Sequence, residues 1–76
     1  MEERRLDNFV RHKRKSARLT QEELSLKAGV GLRFIRELER GKATLQLDKV
    51  NQVLKLFGFE MGPVPMNRKD LTDEEG

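Results

Sequence analysis

The chain has 76 residues, sixteen Lys/Arg against thirteen Asp/Glu, a net charge of +3, a pI of about 9.6, one histidine and no cysteine. A domain this small buries only about 60% of its unfolded surface, and with no cysteine neither a disulfide nor a tetrahedral zinc cluster can reinforce it. Oligomerisation is the remaining support, so a dimer is expected. The longest apolar run is far below the roughly 20 residues of a membrane span, and MEERRLDNF lacks the apolar core of a signal peptide, which points to a cytoplasmic protein with no membrane association.

Leu6, Phe9, Val10 and Ala17 recur at a period near 3.6 and predict a first helix over about residues 5–17. Arg14 intrudes on that stripe, four residues after Val10. A guanidinium on an inward face needs a carboxylate, and the third helix carries the opposite anomaly, Glu39 beside Ile35 and Leu38. An Arg14–Glu39 ion pair tying the two helices is therefore predicted, as a structural link. The run from Arg11 to Arg18 holds five cations in eight residues. It reads either as a solvated face or, through Lys13, Lys15 and Arg18, as a set of phosphate contacts. His12 has no Asp, Ser or Cys in a useful relation to it and reads as a surface histidine.

Thr20-Gln21-Glu22-Glu23 fits a capping box, and Leu19 and Leu24 stand at the positions of a hydrophobic staple, so a second helix begins at Gln21. Capping explains Thr20 and Glu23. Gln21 lies at the positive end of the helix dipole, beside unpaired N–H groups suited to a phosphate oxygen. Leu24 and Ala28 face inward, and Gly29 suits the left-handed stop. Ala28-Gly29-Val30-Gly31 leaves room only for a sharp turn before a third helix over 31–40. That helix has two unlike sides: Ile35, Leu38 and Glu39 inward, and Arg33, Arg36, Glu37 and Arg40 as a wet, mostly basic ridge. A capped helix, a tight turn and a basic second helix point to nucleic-acid binding.

After Gly41, the residues Leu47, Val50, Val53, Leu54 and Phe57 predict a fourth helix over about 46–57, stopped by Gly58. Its stripe reads as core. Phe59-Glu60-Met61-Gly62-Pro63-Val64 alternates and is followed by Pro65, so it reads as a short edge strand. With no other strand in the chain, its partner is expected to be the same segment of a second subunit across a twofold axis. The division expected is thus 1–58 as a DNA-binding domain, 59–66 as a dimerisation strand and 67–76 as a flexible tail. Residues 1–42 hold twelve Lys/Arg against seven Asp/Glu, whereas residues 43–76 hold four against six. The first half suits a polyanion and the second half something else.

Leu19-Thr20-Gln21-Glu22-Glu23-Leu24, Ala28-Gly29-Val30, Ile35, Leu38-Glu39-Arg40-Gly41 and Leu56-Phe57-Gly58 resemble the Xre/Cro helix-turn-helix regulators, which include the phage repressors. Arg14, seven residues before Gln21, falls where that family has an arginine bridged to the glutamate of its Leu-Glu-x-Gly motif. The resemblance implies an all-α, lambda-repressor-like bundle of about four short helices with the helix-turn-helix at its centre. It also implies a phosphate grip at Gln21, base contacts from Leu32, Arg33, Arg36 and Glu37, and a backbone-anchoring loop at Arg40, Lys42 and Thr44. The chemistry suits those roles: Arg33 or Arg36 can fork onto guanine, Leu32 can cover a thymine methyl, and Glu37 can accept from cytosine or orient Arg33. Gly31 and Phe34 depart from the family pattern. Gly31 forfeits a cap or phosphate contact, and Phe34 is expected to pack against the second helix rather than touch a base.

The strand-like segment after the fourth helix is similar to that of HipB-type antitoxins, which bind a HipA-type Ser/Thr kinase toxin and repress their own operon. The expectation is therefore a homodimeric repressor on a near-palindromic operator, with such a kinase as a partner. A stand-alone repressor and a protein-interaction module with secondary DNA binding are the alternatives. No cofactor and no metal site are expected. An enzyme is not expected either, since the sequence has no Gly-rich phosphate loop and no oriented Ser/His/Asp set.

Overall fold

A computed structural model describes residues 5–66. Its elements are α1 (Leu6–Ser16), α2 (Gln21–Ala28), α3 (Leu32–Glu39) and α4 (Leu47–Lys55), each within one or two residues of the range the periodicity predicts. Helix α3 packs between α2 and α1, and α4 closes the bundle against α2. The core is Val10, Leu24, Ile35, Leu38, Val50, Val53 and Leu54, with Leu6, Phe9, Leu19, Ala28, Val30, Phe34, Leu45 and Phe57 packed around it. Fully burying a side chain of this kind stabilises by about 1.5–3 kcal/mol. Among the described residues, no helix is long and apolar enough to cross a membrane.

The ends of the helices are set by local chemistry. The capping box of α2 is complete: the Glu23 N–H donates to Thr20 Oγ1 at 3.0 Å, and the Thr20 N–H donates to Glu23 Oε1 at 2.8 Å. Gly31 caps α3 without a side-chain hydrogen bond. At the C-terminus of α1, the Leu19 N–H reaches Arg14 O and the Arg18 N–H reaches Lys15 O. This is the paired bonding of a Schellman stop, but here the left-handed position is Arg18, at φ 60°. Gly41 closes α3 with φ +88°, and a Cβ there would stand 2.9 Å from Asp7 Oδ2. Both the backbone angle and the close approach call for glycine.

No strand is formed among the described residues, and Phe59–Met66 carries no regular secondary structure. The strand expected from Phe59, Glu60, Met61, Gly62, Pro63 and Val64 is therefore absent from the single chain. A strand needs a neighbouring backbone to take its N–H and C=O groups, and the rest of the described chain is helix and turn. The segment is instead an arm lying against α1 and α4. The Met61 N–H donates to Asn51 Oδ1 at 2.7 Å, and the Phe59 ring meets Phe9 edge-on with centroids 4.8 Å apart. The tail at 67–76 lies outside the described residues.

Candidate nucleic-acid interface

The angle between α2 and α3 is held by a buried polar knot. Arg14 Nε and Nη2 donate to Glu39 Oε2 and Oε1 at 2.7 and 3.0 Å, the two side chains being only 12% and 4% exposed. The third guanidinium nitrogen, Arg14 Nη1, donates to Leu19 O at 2.8 Å, just before α2. Gln21 Nε2, at the first position of α2, donates to Glu39 Oε1 at 3.1 Å. One carboxylate on α3 is thus shared by α1 and α2, with its charge and lone pairs satisfied, which is the condition for burying it. Arg11 adds a further tie from α1 by donating Nη2 to the backbone oxygen of Glu39 at the end of α3.

With Ile35, Leu38 and Glu39 buried, the opposite side of α3 is presented outward. Arg33, Arg36 and Arg40 are exposed, and Leu32 and Glu37 are half-buried. Glu37 takes two cations: Arg33 Nε at 3.5 Å, one helical turn earlier, and Lys42 Nζ at 3.4 Å from the following loop. The contact needed for Glu37 to orient Arg33 therefore exists. Exposed pairs of this kind contribute only about 0.2–1 kcal/mol, so Arg33 can exchange Glu37 for another acceptor at small cost.

Two shallow depressions flank the ridge. One, of about 340 Å³, is lined by Arg11, Gln21, Arg36, Glu39 and Arg40. The other, of about 360 Å³, lies between α3 and the start of α4, and Arg33, Glu37, Thr44 and Lys49 are among the residues lining it. Of the expected contact residues, Gln21, Arg36 and Arg40 thus gather on one flank and Arg33, Glu37 and Thr44 on the other, with Lys42 tied to the second through its ion pair with Glu37. Phe34 is half-buried and packs against the core. Its ring lines the second depression with Leu45 and Gln46, which places it toward the α3–α4 connection.

The basic run of α1 is not one surface. Lys15 and Arg18 are exposed, whereas Lys13 lies over the rings of Phe9 and Phe59, with Nζ 5.6 and 5.3 Å from their centroids. Lys13 therefore belongs with the arm, on a different face of α1 from Arg11 and Arg14. Helical spacing sets Lys13 one turn after Phe9, but the second ring of the seat arrives only when Phe59 folds back onto α1. Arg11 was equally hidden, since nothing local marks an arginine that will cap a carbonyl 28 residues away.

Residues 10–63 match the Helix-turn-helix family. Over 50 residues the chain is 57% identical to the HTH-type transcriptional regulator y4mF of Sinorhizobium fredii (strain NBRC 101917 / NGR234). The match spans 66% of this chain and 66% of that relative, just under two thirds of its length.

Proposed function

Because the chain belongs to the helix-turn-helix family and is a DNA-binding protein of that type, we propose that it is a sequence-specific transcriptional repressor whose α3 enters the major groove. The observation that carries this reading is the fixed, outward ridge of Leu32, Arg33, Arg36, Glu37 and Arg40, set at its angle by the Arg14–Glu39–Gln21 knot. In this reading, lysines and arginines on the flanks neutralise phosphates and supply most of the affinity, while Arg33 and Arg36 distinguish bases. Gln21 keeps one amide N–H beyond the bond to Glu39, and this N–H reaches the phosphate beside α2. The test is Arg33→Ala. It is expected to lose discrimination at one base position, at a cost of about 1–3 kcal/mol. Equal weakening on every sequence would make Arg33 a backbone contact and overturn the assignment of the reading face.

The repressor acts as a homodimer joined through the arm. Support comes from apolar side chains exposed in the single chain: Phe59, Met61, Val64 and Met66. Phe59, Met61 and Val64 border a groove of about 370 Å³ whose floor includes Leu6, Phe9 and Leu54. A second copy of the arm would cover these residues and pair the backbone groups that the single chain leaves unpaired.

A finer reading is that of a HipB-like antitoxin that binds a HipA-like kinase toxin and represses its own operon. It is supported by the resemblance and by the acidic balance of residues 43–76. A purified HipA-type kinase is expected to be retained by the full chain and released by a chain lacking residues 67–76, with DNA binding spared. Equal loss of both activities would count against it.

A further inference from the structure

We propose that Arg11 on α1 and Lys49 on α4 are the outer jaws of the DNA interface, each meeting the sugar-phosphate strand on one side of the groove that α3 enters. This rests on the reading of α3 given above. A helix lying in a major groove about 12 Å wide has a phosphate strand on either side. The ridge of α3 divides accordingly. Arg36 and Arg40 line the depression on one flank, and Arg33 and Glu37 line the depression on the other. The strands would pass through those depressions, whose outer walls carry Arg11 and Lys49.

The charges there are available. Arg11 spends two of its five N–H donors, on Asn8 Oδ1 at 3.0 Å and on Glu39 O. Its nearest carboxylate in the depression, that of Glu39, is already taken by Arg14 and Gln21. The two bonds also hold the guanidinium in place, so little side-chain freedom remains to be lost on binding. On the other flank, Asp48 accepts the backbone N–H of Lys49 at 2.9 Å, and among the described residues no carboxylate pairs with the Lys49 ammonium. A purely structural Arg11 would need only the bonds it already makes. Its three remaining N–H donors, beside a depression also lined by Arg36 and Arg40, are open to a phosphate oxygen in place of water.

The test is the salt dependence of binding. The full chain is titrated against its selected duplex between 50 and 200 mM NaCl, and log Kd is plotted against log salt. Arg11→Ala and Lys49→Ala are each expected to flatten the slope by about 0.9 per protomer, with the ranking of single-base variants of the duplex unchanged. Arg11→Ala also removes the bond to Glu39 O, so Arg11→Lys serves as a second variant and is expected to restore the slope. Lys55→Ala, at the far end of α4, is expected to leave it unaltered. Unchanged slopes in both alanine variants, with Arg33→Ala still losing discrimination, would overturn the jaws and leave the reading helix standing. Equal flattening in Lys55→Ala would also overturn them, and a wild-type chain that ignores duplex DNA would overturn both.

Discussion

Arg14 and Glu39, 25 residues apart in the chain, face each other as a two-pronged ion pair at 2.7 and 3.0 Å within the interior between α1 and α3. Neither helix could bury its charged residue alone. Removing Arg14 leaves the Glu39 carboxylate buried with only Gln21 to satisfy it. Arg14→Ala is expected to destabilise the fold by about 3–5 kcal/mol, measured by urea unfolding, whereas Arg14→Met with Glu39→Leu is expected to cost far less. A double variant as unstable as the single one would show that the pair contributes net stability rather than fixed geometry.

Arg18 occupies a left-handed backbone position, φ 60°, at the stop of α1. That conformation costs an L-residue roughly 1–2 kcal/mol, part of which glycine returns through the greater freedom of its unfolded chain. The Arg18 side chain is exposed, so no packing is lost. Arg18→Gly is expected to stabilise by up to about 1 kcal/mol and to raise Tm by roughly 4–8 °C. A lower Tm would mean that the side chain contributes more than the backbone strain costs.

Asp7, at the start of α1, is held below the usual carboxylate range, chiefly by hydrogen bonds from the Arg5 side chain at 3.2 and 2.9 Å and also by the Asn8 N–H, against the opposing effect of its burial. By linkage, a depressed folded-state pKa contributes stability that is fully present above the unfolded value of about 3.8 and is lost as pH falls from there through the lower folded-state value. Asp7→Asn is therefore expected to flatten the loss of stability below pH 4 while lowering stability at pH 7. Thermal melts across that range check it, and an unchanged acid limb would contradict it.

Much of this architecture could be read before folding. The helices follow from apolar spacing, the start of α2 from Thr20 and Glu23, and the Arg14–Glu39 bridge from two charges of opposite sign on faces that had to be buried. What escaped were contacts made only by the assembled chain. Gln52, on α4, donates to Ala28 O and Gly29 O at the end of α2, and no local pattern announces it. Gln21 reads outward by its position, yet half of its amide is committed to Glu39. The stop at Arg18 lacked the glycine that marks those at Gly29, Gly41 and Gly58. The alternation of Phe59–Val64 describes a side-chain pattern, but a ladder depends on a second backbone, which the single chain does not provide.

In the proposed repressor, α3 is presented twice by a symmetric pair and reads duplex DNA. Selecting duplexes from a random library with the purified full chain tests it most directly. The expected result is enrichment of an inverted repeat whose half-site centres lie about one helical turn, roughly 34 Å, apart. Recovery of a library indistinguishable from the input, at low as well as moderate salt, would contradict it.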